Sequence, residues 1–251
     1  MVCPTGVRIA EINARVRGTF VDQSQIQPLT RLRNNLIARS ELLGKVSQPV
    51  APLSNFALNI APARWIADKI MGIAPKAPLP AFSREKFSSW LAKHPRPEGA
   101  TRKVVYFHGC STEYYEPRVG KAAVHVLEAN GFEVLVPEQN CCGLPLLSNG
   151  EFSAATNYHQ NNIDKLIGYV RQGYVIVGTS TSCTLTLKEE APELLDYFTP
   201  DAQLLAMNTF DLNDFLVFLH DAGELRANNM RPIPLRLAYH PPCQYRAHRV
   251  G

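Results

Sequence analysis

Of the side chains that can do chemistry here, the six cysteines stand out by their placement: Cys3, Cys110, Cys141, Cys142, Cys183 and Cys243. Thiolates bind soft metals, attack as nucleophiles or fill space as small apolar groups. Cys141 and Cys142 are adjacent, and Gly143 follows them. An adjacent pair can supply two sulfurs to one centre, and a glycine beside it removes a side chain that would crowd the approach. Neighbouring residues do not readily meet disulfide geometry, so a mutual bridge is disfavoured. Tetrahedral zinc sites usually draw their ligands from C-x(2–4)-C pairs, and none is present. Iron–sulfur ligation fits the pattern better.

Other chemistries have thinner support. His108 precedes Cys110 and His240 precedes Cys243 at similar spacing; a histidine hydrogen-bonded near a strand end is the simpler expectation for both. Gly178-Thr-Ser-Thr-Ser182 lacks the lysine of a phosphate loop, and its hydroxyls are better placed to donate towards sulfur. Tyr114, Tyr115 and Tyr158 read as packing residues. No Ser-His-Asp set or carboxylate pair suggests acid–base catalysis.

The elements that must position these cysteines follow from hydrophobic pattern and punctuation. Lys103–Phe107 reads as a buried strand ending at His108-Gly109-Cys110. Residues 120–130 read as a helix, Phe132–Val136 as a strand ending before Cys141, Ser153–Tyr169 as a helix, Tyr174–Val177 as a strand, and Gly178–Cys183 as a loop. Strands alternating with helices predict an α/β layer with a parallel sheet, whose chemistry collects at the carboxyl ends of the strands. Cys110, Cys141, Cys142 and Cys183 would then share one edge. Val104-Val-Tyr-Phe-His-Gly-Cys110 is echoed by Leu237-Ala-Tyr-His-Pro-Pro-Cys243, which predicts a second unit of the same kind that the chain only begins.

Before Thr101 the chain is different. Residues 1–100 hold 14 Lys or Arg against 6 Asp or Glu, whereas residues 101–251 hold 12 against 16. Amphipathic helices are expected at Val7–Arg17, stopped by Gly18, at Leu29–Leu43, stopped by Gly44, and at Ala63–Met71. Residues 72–99 read as a Pro-rich connector with one helix near Arg84–Ala92. A basic apolar face suits an anionic lipid surface or a partner protein, and no nucleic-acid-binding motif is present. With 45% hydrophobic and 19% charged residues, the composition is that of a folded soluble protein. No apolar run is long enough to span a bilayer, and the first residues do not read as a secretory signal.

His108-Gly-Cys110, Cys141-Cys-Gly143 and Thr179-Ser-Thr-Ser-Cys183, with 30 residues between Cys110 and Cys141 and 40 between Cys142 and Cys183, together resemble the cysteine-rich CCG domain. Heterodisulfide reductases, the iron–sulfur subunits of glycolate oxidases and related electron-transfer proteins share that domain. Residues 35–55 and the stretch through Cys141-Cys142-Gly143 are similar to the branch of the family found in anaerobic glycerol-3-phosphate dehydrogenases. The resemblance implies a [4Fe–4S] cluster held by Cys110, Cys141, Cys142 and Cys183, a flavin-containing dehydrogenase partner, and electrons delivered to the quinone pool. It also implies peripheral attachment to the cytoplasmic face of the membrane, and no nucleic-acid partner. On the same resemblance Cys3-Pro4 corresponds to the end of a ferredoxin-like module, making Cys3 a ligand in a longer protein, and Cys243 opens the ligand set of a second domain. The heterodisulfide reductase pattern ends in C-x2-C; here its first position is Ser180, which favours one cubane cluster over a doubled one. The expected domains are 1–18, a ferredoxin-like remnant; 19–100, the basic helical and Pro-rich connector; 101–200, the first cysteine-rich domain; and 201–251, a linker and the start of the second. An iron–sulfur subunit of a glycolate or lactate oxidase, or a heterodisulfide-reductase-like catalytic subunit, is the alternative.

Overall fold

The computed structural model describes residues 9–226 together with 231, 234–236 and 238. Cys3, His240 and Cys243, and the expected start of a second cysteine-rich unit, lie outside the described residues.

Five helices come first: α1 (Ile9–Asp22), α2 (Pro28–Ala38), α3 (Ser40–Ser47), α4 (Ala51–Ala57) and α5 (Ala61–Met71), with a 3₁₀ turn at Gln48–Val50. Pro28, Pro52 and Pro62 sit in the first helical positions of α2, α4 and α5. There the missing amide costs nothing and the fixed φ suits the helix, so these prolines open helices. The expected stops at Gly18 and Gly44 do not occur. Gly18 lies inside α1 with the Phe152 ring where a side chain would project, and Gly44 lies inside α3 with the Tyr114 ring in the same relation. Both glycines answer to a neighbouring ring, not to a helix end. The single helix expected over Leu29–Leu43 is instead two, broken at Arg39 (φ −91°, ψ 51°).

A short helix α6 (Phe87–Leu91) leads into the sheet. The order continues β1 (Arg102–Phe107), α7 (Gly109–Tyr114), α8 (Pro117–Ala129), β2 (Phe132–Leu135), α9 (Leu144–Ser148), α10 (Phe152–Arg171) and β3 (Ile176–Gly178). Then come α11 (Thr181–Leu185), a π-helical turn at Thr186–Glu190, α12 (Ala191–Leu194), α13 (Pro200–Met207), β4 (Thr209–Asp211) and α14 (Leu212–Asp221). All pairings are parallel, in the order β2-β1-β3-β4. The expected α/β layer with a parallel sheet and a helical segment before it is the fold. Two expectations need correction. Residues 201–226 do not form a linker: β4 pairs with β3 through Ile176↔Thr209, and Ala202 and Leu205 of α13 are fully buried. Thr-Phe-Asp is too short to show an alternating pattern, so it escapes detection. The loop expected over Gly178–Cys183 is half helix, since α11 starts at Thr181.

Both faces of the sheet are covered, as parallel sheets require. Val105 and Phe107 point into the layer with Ile163, Leu166, Leu187 and Leu205, while Val104 and Tyr106 point the other way, towards Phe87, Val124, Leu127 and Leu219. The period of two along β1 thus assigns alternate residues to α10 and α13 on one side and to α6, α8 and α14 on the other.

Candidate metal centre

The chain moves outward from β1 to β2 and then returns to the far side of β1 for β3. Successive connections therefore diverge between β1 and β3, leaving a crevice beyond their carboxyl ends. Cys110 lies in the first turn of α7, straight after β1, and Cys183 in the first turn of α11, straight after β3. Cys141 and Cys142 lie in the segment after β2. Four of the expected ligands are thereby brought to one place, and none is in a disulfide.

Backbone requirements at this rim are specific. Gly109 adopts φ 64°, and a β-carbon there would come within 3.0 Å of the Cys183 sulfur. Gly143 adopts φ 90°, which turns the chain from the cysteine pair into α9. Two amide side chains hold the segment between β2 and α9. Asn162 on α10 accepts from the Asn140 amide (2.8 Å) and donates to the Cys141 carbonyl (3.1 Å). Gln139 accepts from the His108 amide (2.9 Å) and donates to the Tyr106 carbonyl (3.2 Å).

The sulfurs form a row. Cys110 and Cys141 are 3.8 Å apart, Cys141 also interacts with Cys142, and Cys142 with Cys183. Protons are shared unevenly along it. Hydrogen bonding with Cys110 and Cys142 lowers the Cys141 pKa to about 3, and hydrogen bonding with Cys142, helped by Ser180, lowers that of Cys183. The corresponding bonds, together with burial, raise Cys110 and Cys142.

Two residues that sequence reasoning did not single out complete the site, both from α3. The Ser40 hydroxyl lies 3.5 Å from the Cys110 sulfur. Glu41 is buried and accepts the Cys141 amide at 2.8 Å, while Lys45, one turn on, binds the same carboxylate at 2.6 Å. That bond raises the Lys45 pKa. The i, i+4 spacing of Glu41 and Lys45 was visible in the sequence; its direction towards a cysteine 100 residues away was not. His108 is where expected, at a strand end, with Nδ1 2.8 Å from the Gly109 carbonyl; burial lowers its pKa. Ser180 stands at the N-cap of α11, beside Cys183. Tyr114 packs against Gly44, and Tyr158 packs against the apolar core.

The donor chemistry fits a thiolate-ligated centre. Among the described residues, no three cysteine sulfurs lie within 4.8 Å of one another. A single tetrahedral zinc with bonds of about 2.3 Å would need all four sulfurs mutually about 3.8 Å apart. Four free thiols drawn from three segments are donors for a soft-metal centre.

Residues 104–188 match the CCG family, described as a cysteine-rich domain. Over 243 residues, 96% of this chain, the sequence is 31% identical to the C subunit of anaerobic glycerol-3-phosphate dehydrogenase from Escherichia coli K12, covering 59% of that protein. It is 31% identical to the B subunit of fumarate reductase (CoM/CoB) from Methanothermobacter marburgensis over 56% of this chain and 25% of that one. With lactate utilization protein A of Bacillus velezensis it shares 36% identity over 46% of this chain and 48% of that one. The chain thus spans about three fifths of the length of the first of these relatives. No solved structure matches.

Proposed function

Because this chain carries a cysteine-rich domain of the CCG family and is similar along almost its whole length to one subunit of a dehydrogenase, we propose that it is an iron–sulfur electron-transfer subunit. The dehydrogenase it serves is of the anaerobic glycerol-3-phosphate type: a flavin-containing partner oxidises the substrate, and electrons leave towards membrane quinone. The observation that carries this reading is the meeting of Cys110, Cys141, Cys142 and Cys183 at the sheet's switch point.

In this reading those four cysteines hold one [4Fe–4S] cluster, which when bound supplies reversible one-electron redox chemistry. The chain's own residues do the rest. The four sulfurs are mutually hydrogen-bonded thiols that differ in acidity, and they release protons as they become ligands. Ser40 and Ser180 direct hydroxyls at the outer sulfurs, where such bonds favour the more negative state. Ile163, Leu166 and Leu187 keep water from the inner side. No acid–base work is assigned to the chain.

The N-terminal helices supply the reading of location. No helix among the described residues is long and apolar enough to cross a membrane. Their exposed apolar and basic side chains support peripheral attachment at the cytoplasmic face, beside the flavin partner. Similarity to lactate utilization protein A supports an alternative within the same chemistry, in which the partner oxidises a 2-hydroxy acid.

Anaerobic reconstitution with iron and sulfide tests the centre. The expected result is iron and acid-labile sulfide in equal amounts, with an electron paramagnetic resonance signal on reduction. Zinc without iron, or a spectrum indifferent to Cys142→Ser, would overturn it. Identification of the flavoprotein that co-purifies, and of the substrate that reduces the pair, separates glycerol 3-phosphate from a 2-hydroxy acid.

A further inference from the structure

Beside α6 and α8, three ligand-type side chains converge. His125 and Glu128 lie one turn apart on α8, and His94 lies just past α6, where its amide bonds the Leu91 carbonyl at 3.0 Å. The Nε2 of His94 is 3.0 and 2.9 Å from the two Glu128 oxygens, and the Nδ1 of His125 is 3.8 Å from the second of them. All three ligand atoms lie within 4.8 Å of one another.

Glu128 pairs closely with His94 and, at i, i+3 spacing, more loosely with His125. At 3.8 Å the Nδ1 of His125 is beyond hydrogen-bond reach of the carboxylate it faces. Around a tetrahedral ion with N and O bonds of about 2.0–2.1 Å, neighbouring ligand atoms sit about 3.3–3.4 Å apart. The observed separations straddle that value. The surroundings are built to match. Trp90 stacks on His94 (4.5 Å between ring centres) and meets His125 edge-on (5.7 Å), giving the site an apolar wall. His94 and Glu128 also border a cleft of about 730 Å³, which leaves an approach for a fourth ligand.

We propose that His94, His125 and Glu128 form a second metal site, for a single divalent ion of the zinc class. Two imidazoles and one carboxylate are the donor set of such ions, and calcium or magnesium would prefer oxygen ligands throughout. The bound ion ties the connector segment, through His94, to α8 and so to the sheet. None of its ligands belongs to the sulfur row, so the site stands independently of the cluster.

The test is calorimetric titration of zinc chloride into the full chain, loaded with iron and kept anaerobic. Wild type is expected to take up one zinc per chain and to show a raised melting midpoint. His125→Ala is the decisive variant, because that side chain is 62% exposed and its removal leaves the core intact. Its zinc affinity should fall by at least about 10- to 100-fold, the zinc-induced rise in melting midpoint should vanish, and the iron content should stay unchanged. His94→Ala should behave the same way towards zinc. Absence of zinc uptake by wild type, or equal uptake by wild type and His125→Ala, overturns the proposal.

Discussion

Residues 102–221 and residues 9–71 are both rich in apolar side chains, and they dispose of them differently. In β1 four consecutive residues, Val104 to Phe107, are fully buried, and the helices on both sides of the sheet bury Leu127, Leu166, Leu205 and Leu219. In the N-terminal helices burial is sparse: α2 buries Ala38 alone, and α5 buries nothing. Among the described residues, seventeen of the twenty-two exposed large apolar side chains lie between Ile9 and Ile70. That concentration is what interaction surfaces show and monomeric surfaces do not. The sheet region is a finished core. Among the described residues the helical region leaves its apolar side chains uncovered, and its excess of basic residues suits the lipid or partner contact proposed above. The two meet at α3, which contributes Ser40 and Glu41 to the sulfur row while exposing Leu42, Leu43 and Val46.

Substitutions placed in the two regions should give different results. The largest effect is expected at the sulfurs: Cys141→Ser should abolish cluster assembly, read as loss of iron and of the resonance signal. By contrast, Leu32→Asp with Phe56→Asp, both in the helical region, should leave iron content unchanged and lower binding to anionic vesicles several-fold. Leu127→Ala should cost about 2–5 kcal/mol of stability by denaturant unfolding, because its site is sealed. Leu32→Ala, at a position 54% exposed, should stay within about 0.5 kcal/mol. Equal losses from the two alanine variants would erase the distinction between the regions.

Acid should act on the sheet region through His159. Its ring is buried, both nitrogens lack hydrogen-bond partners, and burial lowers its pKa to about 4. The folded state resists the proton that the unfolded chain accepts near pH 6.5. Stability is therefore full above that value and declines as pH falls to about 4, by about 3 kcal/mol in total. His159→Leu should flatten this part of the profile, and an unchanged slope would assign the acid sensitivity to other groups. The smallest expected effect is at the junction of the two regions. Ser40→Ala removes a hydrogen bond to the Cys110 sulfur and should lower the cluster's reduction potential by on the order of tens of millivolts, with iron content unaltered. Redox titration measures it.

The sheet and the meeting of the cysteines were legible in sequence for a physical reason. Strand residues such as Val104–Phe107 carry a compact apolar signal, and a residue just after a parallel strand has its place fixed by the sheet. What escaped was decided between distant segments. Gly18 and Gly44 looked like helix ends because local reading cannot see the rings of Phe152 and Tyr114. β4 went undetected because three residues make no pattern, and its existence depends on pairing with β3. Ser40 and Glu41 lie 70 and 100 residues from the cysteines they contact, in a stretch whose composition announced only a basic helix. The convergence of His94 with His125 and Glu128 across two elements was equally silent.

The bond from the Cys141 amide to Glu41 also bears on where this protein can be divided. A version starting at Thr101 would retain all four clustered sulfurs and the whole sheet, and by inventory of ligands would look complete. It would nevertheless strand a sealed amide without an acceptor and strip Cys110 of its hydroxyl neighbour. The smallest unit expected to hold the proposed cluster well therefore begins before Ser40, and severing the chain ahead of the sheet should yield a folded remnant that grips iron poorly.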